Sequence, residues 1–402
     1  MGNQTRIRSF LATVSEGYTT LAVVLLGTLI LLCVLEVALA PFRTINRDLR
    51  EKRFVVENWP SLSKAYPNFS QAEVISLVSE ARGSMVRLAY APWIQFGSPP
   101  IKAAYVNSNG VRRRGSTSTD WESAIPDGRH FDVYFFGGST MFGFGVPDGE
   151  TLPAQFEKMA PRAWNARAFN YGVPSYYSRQ ETLLFEMLLR NGEIPKAAVF
   201  LDGLNDVLQP TASYRREPFF TPLMRRRMEI SVDLASLALD SNIMRALHTV
   251  GLVPSTSSLT HGYYDPPAGV SIEMAANRIL ENYFENMRFT QLLCEAYHVE
   301  CFFVWQPSPM FEYHRDEDSL SRKTPTPLSK IIYEKISALK VHPPGFIDLS
   351  RSLDGFEGQP FVDEFHYSSP FMAVLAKRLL HCVSPVRAAP SSDKNAATTQ
   401  CK

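Results

Sequence analysis

Two runs of strand length, Ala197-Ala198-Val199-Phe200-Leu201 and Glu300-Cys301-Phe302-Phe303-Val304-Trp305, carry almost no polar residue on either face. A strand without polar alternation has both faces covered, which happens where helices lie on both sides of a parallel sheet. Phe131–Phe136 has the same character, and Ala168–Tyr171 and Gly345–Leu349 read as shorter strands. Helical patterns separate them: Leu152 to Met159, Arg179 to Asn191, Ile272 to Tyr297 and Phe371 to His381. In the second of these, Leu183, Leu184, Met187 and Leu188 fall at helical spacing, and Gly192 supplies the stop. Strand and helix in alternation imply an α/β architecture, a parallel sheet between helical layers.

The rest of the 402-residue chain departs from that rhythm. Thr19 to Ala40 is apolar apart from Glu36, and its 22 residues would rise about 33 Å as a helix. That covers a hydrocarbon core of about 30 Å, so a transmembrane anchor follows an N-terminal tail at 1–18. The small residues at Ala38-Leu39-Ala40 leave a cleavable signal peptide as the alternative. Arg6 and Arg8 precede the segment, and Arg43, Arg47, Arg50, Lys52 and Arg53 follow it, so positive-inside counting puts the remainder in the cytoplasm. A single N-terminal anchor ahead of a globular domain argues the other way, for an extracytoplasmic domain.

Residues 41–130 form a membrane-proximal region. It has a helix at Gln71–Val86 capped by Asn68 or Ser70, a strand at Tyr105–Gly110, and a basic run Arg112-Arg113-Arg114 that reads as a solvated loop. The segment 209–269 is too long for a simple connection and is expected to be a helical insertion within a 131–383 domain. The tail 384–402 has a disordered composition.

The net charge of +1 gives no reason to expect a nucleic-acid partner. The five cysteines, Cys33, Cys294, Cys301, Cys382 and Cys401, are odd in number and lack CxxC spacing. That argues against a disulfide framework and a zinc site, and leaves Cys294 and Cys301 as buried thiols.

Four short motifs carry chemistry. Phe136-Gly137-Gly138-Ser139-Thr140 turns out of a strand and presents a hydroxyl at the carboxyl edge of the sheet, where open α/β folds place their sites. A serine there needs an adjacent base. Asp363-Glu364-Phe365-His366 offers one: a carboxylate three residues from an imidazole can fix its tautomer and support the imidazolium. Asp127 and His130 share that spacing but precede the first strand, hence lie at the opposite edge. Asn170-Tyr171-Gly172 and Gly203-Leu204-Asn205-Asp206 supply a backbone N–H and a side-chain amide for an oxyanion hole that includes the N–H of Ser139, with Asp206 holding the loop.

In this order the four blocks resemble those of the SGNH hydrolase superfamily, the GDSL-type esterases and lipases, with Ser139, Gly172, Asn205 and His366 at the naming positions and Asp363 completing a triad. The similarity runs from Phe131 to Cys382. It departs in the first block, where Gly138 stands at the family's Asp position. The resemblance implies a flavodoxin-like three-layer fold, an ester-containing substrate such as an acylated glycan or lipid, and no metal or organic cofactor. An O-acetylesterase or O-acetyltransferase on a cell-surface glycan is the first expectation, and a catalytically retired binding or assembly module the second. A third concerns Arg215, Arg216 and Arg225-Arg226-Arg227, which offer a seat for an anionic headgroup or acidic polymer.

Overall fold

The computed structural model describes residues 2–85, 88–115, 122, 124–208, 210–216, 241–249, 252, 266, 269–311, 313, 320 and 326–383. Its chain forms two compact units, Met1–Arg50 with Glu229–Ser258, and Glu51–Met228 with Leu259–Lys402. The run Arg225–Arg227, most of the 209–269 segment and the 384–402 tail lie outside the described residues.

In the first unit a long helix runs from Gly2. Its stretch Val14–Ala40 has a mean hydropathy of 2.7 and none of it is buried, so it is long and apolar enough to cross a membrane. Glu36, the one acid between Thr19 and Ala40, accepts from the N–H groups of Asn242 (2.6 Å) and Ile243 (3.2 Å). Those donors open the helix Asn242–Thr249, where a carboxylate satisfies otherwise unpaired N–H groups.

The second unit begins with the helices Trp59–Ala65 and Gln71–Met85. Ser70 starts the latter through a capping box: its hydroxyl accepts from the Glu73 N–H, and Glu73 accepts from the Ser70 N–H. Two small antiparallel pairs follow, β1 (Ala89–Ala91) with β2 (Gln95–Gly97), and β3 (Pro100–Lys102) with β4 (Asn107–Asn109).

The main sheet is β5 (Phe131–Gly137), β6 (Ala166–Asn170), β7 (Ala197–Asp202), β8 (Glu300–Trp305) and β9 (Phe346–Asp348). Its spatial order is β6-β5-β7-β8-β9 and every pair is parallel. Counted along the chain this is order 2-1-3-4-5, the flavodoxin-like arrangement, whose switch point falls between β5 and β7.

Both faces are apolar because both are covered. Tyr134, Phe136, Phe200, Phe303 and Trp305 face the helices Ser178–Arg190, Ile272–Tyr297 and Pro327–Ser337. Val133, Phe135, Val199, Leu201, Phe302 and Val304 face Leu152–Met159 and Ser369–Cys382. The parallel register sets Phe136, Phe200 and Phe303 side by side, with stacked rings 4.9 and 5.3 Å apart.

Two expectations are corrected. Arg112 and Arg113 are not a solvated loop: they are 6% and 1% exposed. Guanidinium groups so placed need partners, and both find them in main-chain carbonyls. Cys294 and Cys301 are buried as expected but joined in a disulfide. His298 in the left-handed conformation ends the helix and folds the chain straight into β8, which brings the two Cα atoms within 6.2 Å. Cys382 is also disulfide-bonded, and Cys33 is free.

Candidate active site

Ser139 opens a one-turn helix, Ser139–Phe142, directly beyond β5, and Asn205 lies in the helix Leu204–Leu208 directly beyond β7. Adjacent parallel strands therefore deliver the hydroxyl and the amide to one point, the switch of the sheet. Gly138 permits their approach. A Cβ built there would sit 2.1 Å from Asn205 Nδ2 and 3.0 Å from the Tyr176 carbonyl, so any side chain at this position would drive the amide away. A glycine at position 138 is thus what the Asn205 amide requires here.

Asn205 Nδ2 donates one hydrogen to Tyr176 O at 2.7 Å, which orients the amide and leaves its second hydrogen for a ligand. The Ser139 N–H stands at the first helical position, where no intrahelical acceptor exists. Gly172 packs against the same short helix. A Cβ there would meet Phe142 N at 2.3 Å, and its own N–H donates to Asn170 Oδ1 at 3.0 Å.

From the other side of the sheet comes the segment ahead of the helix Ser369–Cys382. Asp363 Oδ1 accepts from the N–H groups of Phe365 (3.0 Å) and His366 (2.9 Å), a side-chain-to-backbone turn that the three-residue spacing favours. Val362 N–H donates to His366 O at 2.8 Å and closes the turn. In that geometry His366 Nδ1 lies 2.8 Å from both carboxylate oxygens, and Nε2 lies 2.8 Å from Ser139 Oγ. Burial pushes the Asp363 carboxyl up, but the facing imidazole and the hydrogen bonds outweigh it and bring it to about 2. The carboxylate is therefore ionised at neutral pH and can support a positive imidazole. Ser139 and His366 are 7% and 8% exposed, so the pair is largely shielded from water.

Asp206 is fully buried beneath Asn205, accepting from Ser178 Oγ (2.8 Å) and the Gly203 N–H (3.4 Å). It ties the loop of the third block to the helix Ser178–Arg190. Burial raises its pKa, and raises those of neighbouring Asp202 and Glu181 well above the carboxylate range. Three carboxylates so close in an apolar setting cannot all be ionised.

Sequence reasoning missed Gln306 and Arg113. Gln306, just past β8, accepts from Thr140 Oγ1 (2.8 Å) and Tyr367 OH (3.1 Å) through one oxygen, so it links the neighbours of Ser139 and of His366. Its position at the carboxyl end of a strand was the available signal. Arg113 had none, because its burial depends on contacts distant in sequence. The Asp127/His130 pair does form, at 2.9 Å, but before β5 and away from Ser139. Arg216 donates to Asn282 (2.7 Å) and pairs with Glu285, whereas Arg215 is exposed.

No protein-family model matches the chain, and no curated relative matches it. Solved structures that resemble it include a GDSL-like lipase, an acetyl xylan esterase and an SGNH-hydrolase family esterase. A GDSL-like lipase from Bacteroides thetaiotaomicron is 15% identical, covers 64% of this chain and 91% of its own, and has a TM-score of 0.31. For an acetyl xylan esterase the values are 13%, 63%, 100% and 0.35. For an SGNH-hydrolase family esterase they are 16%, 53%, 94% and 0.23. At such identities and scores the functional reading rests on the side-chain geometry alone.

Proposed function

We propose that this chain is an SGNH-type serine hydrolase acting on ester-linked acyl groups, and the observation that carries the reading is the continuous path Ser139 Oγ–His366 Nε2, His366 Nδ1–Asp363, at 2.8 Å in each contact. Ser139 Oγ attacks the ester carbonyl carbon while His366 Nε2 takes its proton, and the imidazolium is supported by ionised Asp363. The carbonyl electron pair moves onto oxygen. That oxyanion is met by the Ser139 N–H and the second hydrogen of Asn205 Nδ2, and by the Gly172 N–H as a donor shared with Asn170 Oδ1. Collapse breaks the bond to the alcohol, which leaves with the proton held by His366. Water, or a sugar hydroxyl in a transferase, then enters by the reverse sequence and frees Ser139.

The test is turnover of p-nitrophenyl acetate by the full chain in detergent micelles, with Ser139→Ala as the control. Turnover that survives the substitution contradicts the reading, and no turnover in either favours the alternative of a retired binding module. The substrate class we propose first is an O-acetylated glycan, because an apolar N-terminal helix would hold the enzyme against the cell envelope. Release of acetate from an acetylated polysaccharide checks it.

The catalytic unit belongs outside the cytoplasm on this reading. Support comes from the Cys294–Cys301 disulfide, since such bonds persist mainly in oxidising compartments. Protease added to sealed right-side-out vesicles should then digest the unit. Full protection would put it in the cytoplasm, as the positive-inside count of flanking charges has it.

A further inference from the structure

The turn Gly143–Val146 leads from the helix of Ser139 to the imidazole of His366, and two buried side chains hold it from outside the sheet. Arg113, on the segment after β4, aims its guanidinium into this turn. Nη1 donates to the carbonyls of Phe142 (2.7 Å) and Gly143 (2.5 Å), Nη2 to that of Val146 (2.6 Å), and Nε to Asp148 Oδ1 (2.9 Å). Its backbone N–H donates to Asn170 O at 2.9 Å, so one residue grips both the first and the second block. Its side chain is 0% exposed. Out of water, a charged fork with every acceptor in place fixes geometry far more firmly than a surface contact does.

Tyr66, one residue beyond the helix Trp59–Ala65, grips the turn at its middle and donates to Gly145 O at 2.5 Å. Burial pushes its hydroxyl far above the usual tyrosine range, with Asp363 and Glu150 adding to the shift, so it remains a donor. Between these two grips sits Phe144, 5% exposed, its ring 4.3 Å from the His366 ring. His366 is thus tied at one edge by Asp363 and covered on a face by Phe144.

We propose that Arg113 and Tyr66 are positioning residues for His366, acting through Phe144, so that the segment between the apolar helix and β5 is part of the active site and not a spacer. The inference rests on the esterase reading. An imidazole that passes a proton between Ser139 and a leaving group must keep Nε2 within hydrogen-bond reach of both, and a misplacement of about 1 Å costs on the order of 100-fold in rate.

Tyr66→Phe removes the hydroxyl and keeps the buried ring. In the full chain we expect kcat for p-nitrophenyl acetate to fall about three- to tenfold, the scale of one lost hydrogen bond, with KM within about twofold. Phe144→Ala should lower kcat further. In both variants the loss should fall on kcat, with KM within about twofold, because a displaced imidazole impairs proton transfer and not ground-state binding. With Phe144 already absent, Tyr66→Phe should cost nothing more. Arg113→Lys, which keeps the charge and loses the fork, should follow the same pattern.

Multiplicative losses in the double variant would overturn the proposal. So would a Tyr66→Phe variant that lowers Tm while leaving kcat where it was. A wild-type chain that neither turns over ester nor reacts with a fluorophosphonate would instead remove the esterase reading itself, and the inference with it.

Discussion

The chain contains the Asp-x-x-His spacing twice, and the two copies make nearly the same local contact with different surroundings. Asp127 meets His130 Nδ1 at 2.9 Å, and Asp363 meets His366 Nδ1 at 2.8 Å. The first pair precedes β5, at the amino edge of the sheet, and its carboxylate also takes Arg129 (3.0 Å) and Arg167 (3.4 Å). His130 holds that carboxyl below its ordinary range, with the arginines adding. The second pair sits at the carboxyl edge, where the far nitrogen of its imidazole reaches Ser139. Spacing makes the couple, while strand direction decides whether a serine hydroxyl stands within its reach.

Substitutions can break this comparison. Asp363→Asn should lower kcat by about 10⁴-fold, because an amide no longer fixes the tautomer or supports the imidazolium. Asp127→Asn should change kcat by less than about twofold, and a larger loss would mean that the first pair serves the reaction too. A stability readout tests the second pair independently of turnover. The Asp363 pKa is depressed in the folded chain, so its contribution is present above the unfolded value near 4 and is lost as pH falls through about 2. The Tm penalty of Asp363→Asn should therefore be full at neutral pH and vanish below about pH 2. Asn205→Ala is expected to fall between these extremes, with about a 100- to 1000-fold loss in kcat and little change in KM. A KM effect alone would mean that the amide binds the ground state and not the oxyanion.

Much of the architecture was legible because the five parallel strands are buried on both faces. Apolar runs such as Ala197–Leu201 announce themselves, and the structure extends that one only to Asp202. The helix Ile272–Tyr297 matches its expected bounds because Ser271 caps its start and His298 its end. The helix Pro327–Ser337 was not anticipated, although Thr326 and Pro327 mark its first turn. The candidate site residues were readable as motifs, since each lies within a few residues of a strand end or, for Asp363 and His366, just before the closing helix Ser369–Cys382.

What the sequence concealed is the support around them. Arg112-Arg113-Arg114 has the composition of a surface loop, and nothing local says that carbonyls of residues 142–146 await the middle arginine. The Cys294–Cys301 bridge was hidden for a related reason: it depends on a left-handed turn at His298 that composition does not reveal. The need for glycine at position 138 likewise follows from where the Asn205 amide comes to rest, a contact between the ends of two neighbouring strands.

The central claim is that Ser139 is made nucleophilic by His366. Reaction of the full chain with a fluorophosphonate, followed by mass spectrometry of the labelled peptide, tests it most directly. The account predicts one adduct, on Ser139, formed quickly in the wild type and at least about 1000-fold more slowly in His366→Ala. An adduct on another residue, or a rate indifferent to His366, would contradict it.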